Sequence, residues 1–288
     1  MKTLPQFIDR ITEIVQNNGP DENEYEEFDS IIDCIDNEIE GKEFRTLIST
    51  VLENDTIFGH TYQKPFGYAG DFLLIEKIYQ EYETDNLEFK KWDKFYHSHE
   101  ATEAVRNRKK YCIQKLEALI DSKENVNVLI LGCGPTTDVY EFLVKNNPNN
   151  IQFDLLDIDN NAIEYASKKN SNFIEKLNFI RANVIRFSTE KKYDLIWSAG
   201  LFDYLEDKLF VFLLQRFQNN IKANGQIIIG NFSPQNPTIK VMEVMTEWHL
   251  NYRDEEHLKN LAIQANIEPT KISIEKEPLG INLFLKVE

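Results

Sequence analysis

The stretch NVNVLILGCGPTTDVYEFLVKNNPNNIQFDLLDID, residues 125–159, decides the fold. An apolar run at 126–131 reads as a buried strand, and LGCGPTTD follows it as a tight glycine turn. A helical pattern over 136–145 leads to a second apolar run, 151–157, that ends on an acid. Strand, glycine turn, helix and acid-ended strand build a nucleoside-binding crevice at the strand ends. Such a crevice points to a small-molecule cofactor rather than to a macromolecular partner.

Within that crevice, Gly132 and Gly134 flank Cys133 and let a ligand approach the main chain, while the next helix offers free amide groups at its start. Pro135 suits an early helical position, where its missing donor costs little. A nicotinamide fingerprint would place a third glycine where Thr137 stands, which argues against a dinucleotide. Asp157 closes the second strand where an acid can accept from both ribose hydroxyls, with Ile158 beside it. Asp159 reads as the cap of a helix beginning at Asn160.

Further along, strands are expected at 177–181, 193–198, 225–230, 268–275 and 281–287, with helices at 160–169, 205–219, 238–247 and 253–265. Alternation of strand and helix predicts a mostly parallel sheet covered on both faces. The last two strands are joined through KEPLG, too short for a crossover, so they pair as a hairpin. The expected fold is a seven-stranded Rossmann-like α/β sheet with a terminal antiparallel hairpin, preceded by an all-helical extension. The boundary is placed between 1–104 and 105–288.

Several residues follow the strand ends. Asn183, with Val184, lies where an adenine edge would fall, or simply stabilises a loop. Ser198, Ala199, Gly200, Asp203 and Tyr204 sit beyond the fourth strand, at the ligand edge of an open sheet. Asp203 reads equally as the cap of the following helix. Asn231 and Phe232 follow the fifth strand. Trp248 and Tyr252 are four apart and share a face if their helix is continuous. Arg253 either grips an acceptor carboxylate or pairs with Asp254 or Glu256.

The first 120 residues are helical by pattern, over 3–18, 26–52 and 89–120, with a loop before LLIEKIYQEY. In that loop TYQKPFGYAGD concentrates Gly67, Tyr68, Gly70 and Asp71. It reads as a helix-joining turn capped by Asp71, or as a lid bringing Tyr68 and Asp71 to the cofactor, with His60 near the acceptor. The chain has 288 residues and a formal charge of −16, which disfavours nucleic acid as a partner. RNRKK at 106–110 reads as a solvated face. Neither the histidines nor the three cysteines have metal-ligand spacing. No run approaches the ~20 apolar residues of a membrane span. A cytoplasmic setting is expected, and a homodimer is left open.

The ordered set LGCGPTTD, LLDID, the Asn183 segment, the fourth strand and the hairpin resembles the class I S-adenosylmethionine-dependent methyltransferases across about residues 105–288. QKPFGYAGDF at 63–72, SAGLFDYL at 198–205 and GNFSPQNP…MEVMTEWHLNYR across 230–253 are similar to a narrower group. These are the bacterial methyltransferases of extracellular-factor, 3-hydroxypalmitic acid methyl ester biosynthesis. The resemblance implies S-adenosyl-L-methionine as cofactor and a small-molecule acceptor, in the first instance a 3-hydroxy fatty acid carboxylate. A carboxylate needs no general base. For an amine or alcohol of another metabolite, Tyr68, His60 or Asp203 would serve, with Tyr204 close by. A cofactor-binding regulatory module without transfer is the reading from a different class.

Overall fold

The computed structural model describes residues 4–288, so the first residue of the helix expected over 3–18 lies outside the described residues. The chain forms two compact units. One runs to Glu103 and includes Asn236–His249; the other comprises Ala104–Gln235 and Leu250–Glu288.

The helical unit contains α1 Ile8–Gln16, α2 Tyr25–Asp33, α3 Glu38–Leu47, α4 Ser49–Leu52, α5 Ile57–Gln63, α6 Phe72–Tyr79 and α7 Lys90–Ser98. It also holds the start of α8, Glu100–Ser122, which continues into the second unit. The helix expected over 26–52 is therefore three. Asn37 interrupts it by accepting from the Ile39 and Glu40 amides at 3.1 and 3.0 Å, which starts α3 afresh. The stretch read as a loop before α6 contains α5, whose cap Thr56 accepts from the Gly59 amide at 2.7 Å. His99, with extended backbone, splits the helix expected over 89–120. Phe28, Phe44, Phe58, Trp92 and Phe95 form the buried aromatic centre of this unit.

The helix expected over 238–247 is present over 239–246, and a π-helical turn, Val241–Met245, forms its centre. Arg45 draws this segment into the helical unit, donating to the Val244 carbonyl at 2.8 Å and pairing with Glu247 at 2.9 Å. Glu247 takes φ +51° and ends the turn, and 247–254 is irregular. Trp248 and Tyr252 consequently share no helical face, contrary to expectation, because a left-handed residue cannot continue a right-handed helix.

In the α/β unit the strands are β1 Val126–Leu131, β2 Ile151–Asp157, β3 Leu177–Arg181, β4 Tyr193–Ser198, β5 Ile221–Phe232, β6 Ile272–Lys276 and β7 Asn282–Val287. Their order is β3-β2-β1-β4-β5-β7-β6, with β7 antiparallel to both neighbours. The helices are the remainder of α8, then α9 Thr137–Asn146, α10 Asn160–Lys169, α11 Asp207–Gln218 and α12 Glu255–Gln264.

The central strands carry apolar side chains on both faces because helices bury both. On one side Val128, Ile130 and Trp197 pack with Cys112, Leu116 and Phe142 of α8 and α9. On the other, Leu129, Ile196 and Ile229 pack with Leu213, Leu258 and Leu261 of α11 and α12. Gly230 lets β5 approach the end of β4, since a Cβ there would meet the Ala199 carbonyl oxygen at 2.8 Å. No helix among the described residues is long and apolar enough to cross a membrane.

Candidate active site

At the carboxyl end of β1 the chain turns through Gly132, Cys133, Gly134 and Pro135. Gly132 and Gly134 have φ of +66° and +52°, and a Cβ on Gly134 would meet no atom within 4 Å. The turn thus needs glycine for its backbone and leaves open space beside it, as a loop that admits a ligand must. Thr136 also takes a positive φ of +52°, so α9 starts only at Thr137. Pro135 therefore precedes the helix instead of entering its first turn, which corrects the sequence expectation.

Asp157 organises this turn. The Gly134 amide donates to its Oδ2 at 2.9 Å and the Asp159 amide to its Oδ1 at 3.0 Å. The Ile158 N–H also acts on the carboxylate, which still keeps acceptor capacity. Burial pushes the Asp157 carboxyl up from its ordinary value, while the N–H bonds from Asp159 and Gly134 pull it back. Beside it Ile158 is 61% exposed, an apolar side chain left at the crevice rim. Asp159 caps α10, accepting from the Asn161 amide at 2.8 Å. After β3, Asn183 accepts from the Ile185 amide at 2.8 Å, which shapes its loop, and Val184 packs into the core.

Ser198 is buried and donates to the Leu131 carbonyl at 2.9 Å, tying β4 to β1. Beyond it, the Ala199 carbonyl accepts from Arg108 at 3.2 Å, and a side chain at Gly200 would meet the same guanidinium at 3.2 Å. Arg108 is 5% exposed and acts electrostatically on Asp138 and Asp203. It was missed in the sequence because RNRKK has the composition of a solvated face. Its neighbour Asn107 is buried too and donates to Glu277 at 3.1 Å.

Asp203 does not cap α11, whose N-cap is Glu206. It lies in a 3₁₀ turn, Phe202–Tyr204, is 1% exposed, and accepts from the Phe232 amide at 2.7 Å. Burial pushes its carboxyl up to about 6; the Phe232 N–H bond and the charges of Arg108 and Arg253 oppose that rise. A carboxyl raised on folding stabilises the fold below its unfolded pKa, and that contribution is lost as pH rises through about 6. Asp203→Asn should therefore gain stability relative to the wild type between about pH 4 and 7, by up to about 3 kcal/mol at 1.36 kcal/mol per pH unit. Urea midpoints measured for both proteins across that range would check this; parallel curves would contradict it. Tyr204 is 38% exposed beside it.

The structure corrects the expectation for Arg253. Its side chain is 1% exposed. Nε donates to Asp207 Oδ1 at 2.9 Å, and Nη1 to the Phe202 carbonyl at 3.1 Å and Asn231 Oδ1 at 2.8 Å. Nη2 donates to the Leu205 carbonyl. With these donors committed to the chain itself, Arg253 is a positioning residue for the 3₁₀ turn and the β5 end, not a carboxylate clamp. Asn231 is likewise occupied, donating to the Phe232 and Asn251 carbonyls at 2.9 Å each. Phe232 is buried at the carboxyl end of β5, and Tyr252 is half-buried.

Four expected residues lie in the helical unit. Asp71 is buried, caps α6 by accepting from the Leu73 and Leu74 amides, and receives His60 Nε2 at 3.0 Å. Tyr68 is 36% exposed and Trp248 is buried. Gly132, Cys133, Gly134, Asp157, Ser198, Ala199, Gly200 and Asp203 come together along the carboxyl edge of β1, β2 and β4 in the α/β unit. Among the described residues no group of three or more His, Cys, Asp or Glu could hold a metal ion.

Comparison with known proteins adds to this geometry. A family model described as a methyltransferase domain matches residues 122–276. Malonyl-[acyl-carrier protein] O-methyltransferase 2 of Ilyobacter polytropus is 29% identical over 146 residues, 49% of this chain and 54% of its own length. Malonyl-[acyl-carrier protein] O-methyltransferase 1 of the same organism is 34% identical over 125 residues, 43% of this chain and 44% of its own length. The chain thus spans about half the length of the curated relatives it matches. A solved structure of a possible exported protein from Bordetella parapertussis shares the fold, with a TM-score of 0.67 at 13% identity, covering 99% of this chain and 94% of that one.

Proposed function

The chain belongs to the methyltransferase-domain family, and from that premise we propose that it transfers the methyl group of S-adenosylmethionine to the carboxylate of a small acid, in the first instance a 3-hydroxy fatty acid. The observation that carries this reading is the cradle at Gly134 and Asp157. A loop with open space at Gly134 faces a buried carboxylate that accepts backbone N–H groups and retains acceptor capacity. Those acceptor oxygens fit a ribose whose two hydroxyls donate.

When bound, S-adenosylmethionine would supply an electrophilic sulfonium methyl and a thioether leaving group. The chain's own residues bind and align. Asp157 would hold the ribose, Ile158 would border the base, and Arg108, a buried positive charge beside Ala199 and Gly200, would meet the carboxylate of the cofactor's amino acid end. An acid with a pKa of about 4 is already ionised near neutral pH, so its oxygen attacks without a general base. Alignment of acceptor and methyl would supply the rate gain.

Two observations favour an acid. The similar Ilyobacter proteins are named as O-methyltransferases of a malonyl group, which bears a carboxyl. The segments at 63–72, 198–205 and 230–253 resemble enzymes that esterify a 3-hydroxy acid. The test is incubation with methyl-labelled S-adenosylmethionine and a panel of 3-hydroxy fatty acids, unsubstituted fatty acids and amines, with products identified by mass spectrometry. Label in the ester of a hydroxy acid is expected. Label only in amines, or cofactor binding with no transfer, would contradict the proposal, the latter favouring a regulatory module.

A further inference from the structure

Asn282 opens β7 opposite Phe232, at the carboxyl end of β5, where ligands of open α/β sheets bind. Its residue is fully buried, and neither Oδ1 nor Nδ2 of its side chain has a hydrogen-bond partner. Burying an amide with nothing to meet it costs about as much as losing its hydrogen bonds outright, so native chains seldom leave one unmet. The contrast with Asn231 on the adjacent strand is direct: there both the amide nitrogen and the oxygen are satisfied within the protein.

The main chain at Asn282 is held firmly. Glu277, itself buried, accepts from the Leu279, Ile281 and Asn282 amides at 2.9, 2.8 and 3.2 Å and from Asn107 of α8 at 3.1 Å. The turn between β6 and β7 is thereby tied to α8, and the side chain of Asn282 is not free to seek solvent. Strand alternation sets its face. Leu283 and Leu285 pack with α11 and α12, whereas Phe284 stacks on Tyr111 of α8 with ring centroids 3.9 Å apart. Asn282, two residues from Phe284, shares the α8 side of the sheet. Arg108 of that helix reaches the β4 end at Ala199.

We infer that the Asn282 side-chain amide meets the methyl acceptor, donating to its carboxylate and accepting from a neighbouring hydroxyl. The inference rests on the acid-methylating function proposed above. An amide offers donors and an acceptor together. An unsubstituted fatty acid would satisfy only Nδ2, since a carboxylate cannot donate. A 3-hydroxy acid satisfies both atoms, so Asn282 becomes the residue that selects for the hydroxyl.

The experiment compares wild type, Asn282→Leu and Asn282→Asp on a 3-hydroxy fatty acid and the unsubstituted acid of equal length. Thermal unfolding and the affinity for S-adenosylmethionine are measured alongside. Wild type should prefer the hydroxy acid in kcat/KM by about 10-fold or more, as sites built around a substrate hydroxyl do. Asn282→Leu should lose that preference while binding the cofactor as the wild type does. Asn282→Asp retains acceptor oxygens but repels the carboxylate, so its KM for both acids should rise; it also serves should the leucine variant not fold. An unchanged preference in a folded leucine variant, or an unchanged KM for both acids in the aspartate variant, would overturn the inference and leave the amide to a trapped water. No transfer to either acid by the wild type would instead overturn the proposed function, and the inference with it.

Discussion

Replacing Asp157 with alanine is expected to weaken S-adenosylmethionine binding by roughly 100-fold or more, the consequence of losing two hydrogen bonds to a charged acceptor. The geometry gives a second reason. The same carboxylate holds the Gly134 and Asp159 amides, so its removal also releases the glycine turn that lies against the ligand. Asp157→Asn keeps one acceptor oxygen and should fall between the two. The fold itself should survive, because burial raises the Asp157 pKa and its charge is therefore a cost to the folded state. Titration calorimetry of wild type and both variants measures the effect. Equal affinities would remove Asp157 from the cofactor site.

Arg253→Leu is expected to destabilise the protein by about 3–5 kcal/mol, the usual loss when one partner of a buried charged network is removed. Leucine would strand the Phe202 and Leu205 carbonyls and Asn231 Oδ1 without their donor. It would also remove a guanidinium lying 5.0 Å from the Phe210 ring centroid. Arg253→Lys would recover part of this network at most, having no planar fork. Denaturant unfolding reads the loss. A leucine variant of wild-type stability with only a raised KM would restore the reading of Arg253 as an acceptor clamp.

Much of the α/β unit was legible because its strands carry their own signals. The runs at Val126–Leu131, Ile151–Asp157 and Tyr193–Ser198 are apolar, short and bounded by turns, which leaves little choice of structure. The glycine turn and the acid at Asp157 were legible for the same reason: backbone conformation and strand-end position are local properties. The helical unit was harder. Apolar spacing continues across Asn37 and His99, and only capping and tertiary packing reveal the breaks. Asn37 followed by Glu40, and Thr56 before Ile57, were available cap signals that the periodicity outweighed.

Side-chain roles at the site were legible only in part. Arg253 invited a substrate role because arginine suits carboxylates, yet its donors are spent on the Phe202 and Leu205 carbonyls of one turn and on the Asn231 and Asp207 side chains, a fact of tertiary structure. Arg108 and Asn107 looked like a charged outer face, and packing of α8 against the sheet buries them. Asn282 reads as an ordinary polar residue at the start of a strand. Nothing in NLFLKV reveals that its amide is buried without a partner.

The cofactor crevice is tested most directly by a crystal structure of the chain with S-adenosylhomocysteine. The ribose hydroxyls are predicted to bond the Asp157 carboxylate, with the adenosyl group against Gly134 and Ile158 and the amino acid carboxylate at Arg108. A ligand bound elsewhere, with the space beside Gly134 filled only by solvent, would contradict the cofactor assignment on which the proposed methyl transfer depends.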